Sequence, residues 1–181
     1  MIVVGDVSGR GLGAGTVMAS LRYSIRAFAS QGDPPTTLLT RLTRLLDVDR
    51  DHHFATVLCA IVDIEGHTIT VANAGHPSPM LIDADGVRLL STAVGVPIGV
   101  ARDATYDSVT EPIPAGATLL AYTDGLFERR GESADDGLGR LMGSASAHDG
   151  SLEALLTQIV NAQVSDASDD DAAILGVRWQ H

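Results

Sequence analysis

Two apolar, β-rich runs, residues 54–64 and 68–73, stand on either side of Glu65-Gly66-His67. A connection that short turns the chain back on itself as a hairpin; a parallel pair would need a long crossover. The two runs therefore commit the chain to antiparallel sheet. Similar short runs follow at residues 79–82, 87–90, 105–109 and 118–122, and residues 171–177 read as a last strand. Upstream, Met1-Ile2-Val3-Val4 is an apolar, β-branched strand that ends at Asp6. A flexible glycine stretch, residues 11–15, leads to a helix over residues 16–29, where Val17, Leu21, Ile25 and Phe28 recur at helical spacing. Asp33-Pro34-Pro35 breaks it, and Thr36 or Thr37 is placed to cap the next helix. Leu38, Leu39, Leu42, Leu45 and Leu46 give that second helix its apolar stripe. Three helical segments, residues 125–130, 137–146 and 152–164, precede the last strand. The order is α+β, not alternating βαβ, and predicts two packed antiparallel sheets with helices outside.

The chain has 181 residues, enough for one domain with a real core. Its net charge of −11 argues against nucleic acid, which requires a basic face. The same acidity fits a holder of cations, and equally a solvated acidic surface. No apolar run approaches the ~18 residues that a membrane span needs. No basic flank precedes the first strand, so a cytoplasmic location is expected and a membrane partner is not. Cys59 is the single cysteine, set in an apolar run, and reads as a buried structural thiol.

Three aspartates carry the chemical interest. Asp6 closes an apolar strand and precedes Gly9 and Gly11, which let backbone approach a ligand. Gly9-x-Gly11-x-x-Ala14 also resembles a dinucleotide fingerprint, but that needs a βαβ unit and an acid ~20 residues on, where a second helix stands instead. The same run faintly resembles the nucleotide box of GHKL-type ATPases, whose spacing is one residue shorter. Asp124 also ends an apolar strand, and alone it reads equally as a helix N-cap. Asp169-Asp170-Asp171 opens the last strand, and alone it reads as a surface loop. Together the three place carboxylates at strand ends that antiparallel pairing can gather. Carboxylates without cysteine or a convergent histidine pair suit hard ions, Mg²⁺ or Mn²⁺. Two such ions activate water and clamp a phosphoryl group. His76, near glycine and proline, reads as a loop hydrogen-bonder, with a proton-transfer role as the alternative. His52-His53 reads as a solvated turn and not as a metal site, because neighbours on a strand point apart.

Four motifs in order resemble one family: Asp6-Val7-Ser8-Gly9-Arg10-Gly11, Asn73-Ala74-Gly75-His76-Pro77, Tyr122-Thr123-Asp124-Gly125-Leu126 and Asp170-Asp171-Ala172-Ala173. Phe54-Ala55-Thr56 and Pro97-Ile98-Gly99 add to the likeness. Order and spacing are similar to those of the SpoIIE-like branch of the type-2C, metal-dependent serine/threonine protein phosphatases, over essentially the whole chain. The resemblance implies an αββα sandwich, two mainly antiparallel sheets flanked by helix pairs. It implies hydrolysis of phosphoserine or phosphothreonine with two Mn²⁺ or Mg²⁺ ions. Asp6 would bridge both ions, the Val7 carbonyl would bind one, and Asp124 and Asp170 would complete the protein ligands. Asp6 and Asp124 are thereby the catalytic candidates. The implied partner is a phosphorylated regulatory protein of the anti-sigma-factor antagonist type, and the helix pair after Asp6 would either transmit partner signals or serve as plain outer-layer packing. Two departures stand out. The family carries an upstream Gly-Gly-Asp segment, and this sequence begins after that point. An N-terminally incomplete domain is therefore expected, lacking the first strand(s) and one acidic ligand. Its unpaired edge beside residues 1–5 offers a route to a homodimer. Ala173 stands where the family usually has threonine. The competing expectation is a truncated or degenerate binding module with little turnover.

Overall fold

The computed structural model describes residues 1–146, 150–163 and 171–179. In order they form β1 (Ile2–Val7), α1 (Leu12–Ser30), α2 (Pro35–Leu42), α3 (Val48–Asp51), β2 (Ala55–Asp63), β3 (Thr68–Ala74), β4 (Met80–Asp83), β5 (Gly86–Leu89), β6 (Val94–Gly95), β7 (Ser108–Pro112), β8 (Thr118–Tyr122), α4 (Ala134–Ser146), α5 (Leu152–Gln163) and β9 (Ile174–Arg178). They divide into two compact units, residues 1–76 with 91–112, and residues 77–90 with the described residues from 113 onward.

In the first unit β1, β2 and β3 form an antiparallel ladder, running from Ile2 opposite Ala60 to Val7 opposite Ala55. Beyond β3, β7 pairs antiparallel, while β6 makes a short parallel pairing at Asn73 and Ala74. Successive strand residues face opposite ways. Val7, Ala55, Val57, Cys59, Ala72 and Ala74 therefore share one face, and Leu21, Leu38, Leu39 and Leu42 of α1 and α2 cover it. Asp6 and Thr56, directly opposed, lie on the other. The helix pair is fastened by Arg41, whose guanidinium carbon lies 3.8 Å from the Phe28 ring centroid and which pairs with Asp33. Cys59 is fully buried, and burial pushes its thiol up to about 12.

In the second unit the strand order is β5-β4-β8-β9, antiparallel throughout. Leu141, Ala145, Leu155 and Ile159 from α4 and α5 pack with Met80, Leu120 and Tyr122 of its sheet. The Tyr122 hydroxyl donates to the Ser78 carbonyl at 2.8 Å, which satisfies a polar group inside the core. The class is thus the expected α+β, with two mainly antiparallel sheets and a helix pair on each. No helix of the described residues is long and apolar enough to cross a membrane.

Several local expectations differ from the structure. The first helix begins at Leu12, through Gly13 and Gly15, not at residue 16. Helices disfavour glycine by about 1 kcal/mol, and the packing of His53 described below accounts for Gly13. Neither Thr36 nor Thr37 caps α2: Pro34 is the cap and Pro35 opens the helix, where a missing N–H costs nothing. Residues 125–130 are not a helix, only a single 3₁₀ turn at Asp124–Leu126. The strand expected over residues 105–109 lies instead at Ser108–Pro112, the last strand starts at Ile174, and β6 had no sequence signal.

Gly5 is required by close approach. A Cβ there would lie 2.7 Å from the Thr56 carbonyl oxygen, a backbone atom of the paired strand. Gly5→Ala is expected to lower stability by about 1–3 kcal/mol through overpacking, read as a reduced urea midpoint; an unchanged midpoint would show that β1 can lift from β2 freely.

Candidate functional site

Asp6 and Val7 end β1, and the pairing continues one residue past them. The Ser8 N–H donates to the Phe54 carbonyl at 2.9 Å, and the Phe54 N–H donates to Ser8 Oγ at 2.9 Å. The Ser8 carbonyl accepts from His53 Nδ1 at 2.6 Å. A trans peptide is planar, so its C=O and N–H point in opposite directions. With the Ser8 N–H aimed at β2, the Val7 carbonyl of the same peptide is aimed away from it. Asp6 is half-buried beside that carbonyl. The strand end thus presents a carboxylate and a carbonyl, both hard oxygen donors.

Across the ladder from Asp6, the Thr56 hydroxyl lies 2.9 Å from His76 Nδ1. His76 is held by Asn73, which is completely buried. The Asn73 amide group donates to the His76 carbonyl, and its oxygen accepts the His76 N–H, both at 2.8 Å. A further 3.1 Å bond runs from the amide to the Thr92 hydroxyl. Gly75 completes the loop with φ 71°, and a Cβ on it would sit 2.6 Å from Pro97 Cγ. His76 is therefore the loop hydrogen-bonder anticipated from sequence, seated in the core and not in solvent.

In the second unit, Thr123 and Ala173 exchange backbone and side-chain bonds. The Thr123 N–H donates to the Ala173 carbonyl at 3.1 Å, and the Ala173 N–H donates to Thr123 Oγ1 at 2.9 Å. Residues 171–173 are thereby laid alongside the end of β8, next to Asp124. Asp124 is half-buried, and one of its carboxylate oxygens accepts the Gly125 N–H at 2.9 Å. The bonds of Ala173 are made by its backbone, so its side chain takes no part in them. Asp170 lies outside the described residues. Among the described residues, no three histidine, cysteine, aspartate or glutamate side chains gather as a metal-holding group.

His53 is the residue that sequence reasoning missed. It is no solvated turn: His52 takes the left-handed conformation that ends α3, and His53 turns back against the Ser8 loop. Its ring borders a groove of about 380 Å³ with Leu12, Gly13, Thr16, Val17 and Asp51. The signal lay in Gly13, whose absent side chain leaves room for that ring, but the pairing is only visible in three dimensions.

Comparison with known proteins adds an independent line. The family model described as Stage II sporulation protein E (SpoIIE) matches residues 1–180. Phosphoserine phosphatase RsbP of Bacillus subtilis (strain 168) is 29% identical over 132 residues, which cover 70% of this chain and 33% of RsbP. The chain thus spans about a third of that relative. The structure of the RsbU and RsbW domains of Rv1364c from Mycobacterium tuberculosis matches with a TM-score of 0.81 and 26% identity, over 98% of this chain and 52% of that one. RsbX in complex with magnesium matches with a TM-score of 0.71 over 97% of this chain and 79% of that one. At 17% identity the likeness to RsbX speaks for the fold alone.

Asn73→Ala is expected to leave the buried His76 N–H and carbonyl without their partner, at a cost of about 1–3 kcal/mol for each unsatisfied group. Thermal unfolding monitored by circular dichroism measures it, and a melting temperature equal to the parent's would show the Asn73 contacts to be dispensable.

Proposed function

The chain belongs to the SpoIIE family, and on that premise we propose that it hydrolyses phosphoserine or phosphothreonine in a regulatory protein, using two Mn²⁺ or Mg²⁺ ions. The observation that carries the reading is the end of β8, where the Thr123–Ala173 bonds set the chain that follows Asp170 beside Asp124. The phosphatase name of RsbP supports it.

In this proposal Asp6 would serve both ions, the Val7 carbonyl would hold one, and Asp124 and Asp170 would supply the remaining carboxylates. The donor set fits hard divalent ions, because every donor is oxygen. When bound, the ions supply charge neutralisation for phosphoryl oxygens and activation of a water for attack on phosphorus. The protein's share is position. The ladder holds Asp6 in register, Ser8 fixes the Val7 carbonyl, and Thr123 fixes the segment beside Asp124. The substrate is a phosphorylated protein of the anti-sigma-factor antagonist type, the class the sequence motifs imply, and the working compartment is the cytoplasm. Among the described residues β1 is an outer strand of its sheet, and its edge is where a second copy would pair.

Mn²⁺ is expected to raise the melting temperature, since a ligand that binds only the folded state stabilises it. Asp6→Asn and Asp124→Asn should each shrink that shift, and each should cut Mn²⁺-dependent hydrolysis of p-nitrophenyl phosphate by about 100-fold or more. A parent with no thermal response to Mn²⁺ would sink the metal site. A parent stabilised by Mn²⁺ but inactive on a phosphoserine protein and on p-nitrophenyl phosphate would instead be a binding module.

A further inference from the structure

We propose that His53 is a positioning residue for metal binding: through Ser8 it fixes the direction in which the Val7 carbonyl points. The inference rests on the metal-dependent reading above and adds to it a residue from a different part of the chain.

Ser8 has bonds on both sides of its Cα. On one side, the Val7–Ser8 peptide is held by the Ser8 N–H on the Phe54 carbonyl, 2.9 Å. On the other, the Ser8–Gly9 peptide is held by the Ser8 carbonyl on His53 Nδ1, 2.6 Å. A peptide is a rigid plane, so fixing two consecutive planes fixes the φ and ψ between them. The His53 bond is the second of these two fixings. Without it Ser8 keeps only its contacts with Phe54, and the chain can pivot into Gly9, which already sits at φ 84° where glycine alone moves freely.

The bond also sets the chemistry of the ring. A carbonyl only accepts, so Nδ1 carries the hydrogen. Nε2 faces α1: a Cβ on Gly13 would lie 3.0 Å from it, and a Cβ on Gly9 would lie 3.4 Å from Nδ1. The imidazole therefore fits between the turn and the first residues of α1. It is itself presented by a firm base. His52 N–H donates to the Val48 carbonyl at 2.9 Å, and Ala55 exchanges bonds of 2.9 and 2.8 Å with Ile98. Movement of His53 away from Ser8 is thus opposed from both sides. The ring's hydrogen bond is to the Ser8 carbonyl, so its effect on the ion is exerted through Ser8.

Asparagine and glutamine separate position from mere polarity. The asparagine amide nitrogen falls close to where Nδ1 stands, and the glutamine amide lies one methylene farther out. Isothermal titration with Mn²⁺ on the whole chain should give parental affinity for His53→Asn and a loss of roughly 10–100-fold for His53→Gln, the usual cost of removing a residue that orients a metal ligand. Melting temperatures in EDTA identify any variant that is simply unfolded, and His53→Asn keeps the comparison open if His53→Gln is. Equal Mn²⁺ affinity in the parent and His53→Gln would overturn the proposal, and so would an equal loss in both variants. Asp6→Asn is the control: if it binds Mn²⁺ as the parent does, the metal reading itself fails. If it loses binding while His53→Gln does not, only the role of His53 fails.

Discussion

A backbone ladder is a rigid way to place a carboxylate, and the β1–β2 pairing is the interaction on which the first strand end depends. Six residue pairs run from Ile2 to Val7. Gly5 lets the strands close to a distance that even a methyl group would prevent. The ladder bonds are cooperative in effect, because each fixed peptide limits the next. By the time the chain reaches Asp6 its direction is settled by the residues before it, and Ser8 settles it from the residues after. Asp6 and Val7 thus sit inside a braced span, not at a loose end.

The second unit reaches a comparable result with different parts. There the acid follows the strand, and the brace is Thr123, one residue before it. Both braces use a hydroxyl in the same way. Ser8 Oγ accepts the Phe54 N–H, and Thr123 Oγ1 accepts the Ala173 N–H, each at 2.9 Å. A side-chain oxygen here stands in for a backbone carbonyl and carries the pairing past the point where regular strand geometry ends. This gives the small polar residues next to Asp6 and Asp124 a mechanical meaning apart from any part in chemistry.

Much of this was legible in the sequence. The hairpin of β2 and β3, the limits of β8 and the Leu38, Leu39 and Leu42 stripe of α2 follow from period and turn length, whereas Leu45 and Leu46, expected on the same stripe, lie beyond the end of that helix. The aspartates at strand ends were visible because apolar runs stop at them. What stayed hidden depended on contacts between distant residues. Gly13 read as part of a flexible stretch ahead of the helix, since its compensation is a ring forty residues away. Residues 125–130 looked helical, yet the chain there needs only one 3₁₀ turn to leave β8. β6 is a two-residue pairing whose partner is Asn73-Ala74, too short for any periodicity to register. His53 read as solvated because local sequence does not show that the chain folds back at His52.

Gly75 carries a consequence beyond its own loop. Its Cα faces Pro97 so closely that no side chain fits between them, and its φ lies where only glycine is at ease. Pro97 in turn leads into Ile98, whose backbone is bonded to Ala55 at the start of β2. The three stretches around residues 55, 75 and 97 are thus one contact written in three places. Over evolutionary time they should be inherited as a set: a side chain at position 75 would have to displace the proline and also accept a left-handed backbone. Substitutions at these positions in related sequences should therefore covary, although nothing along the chain joins them.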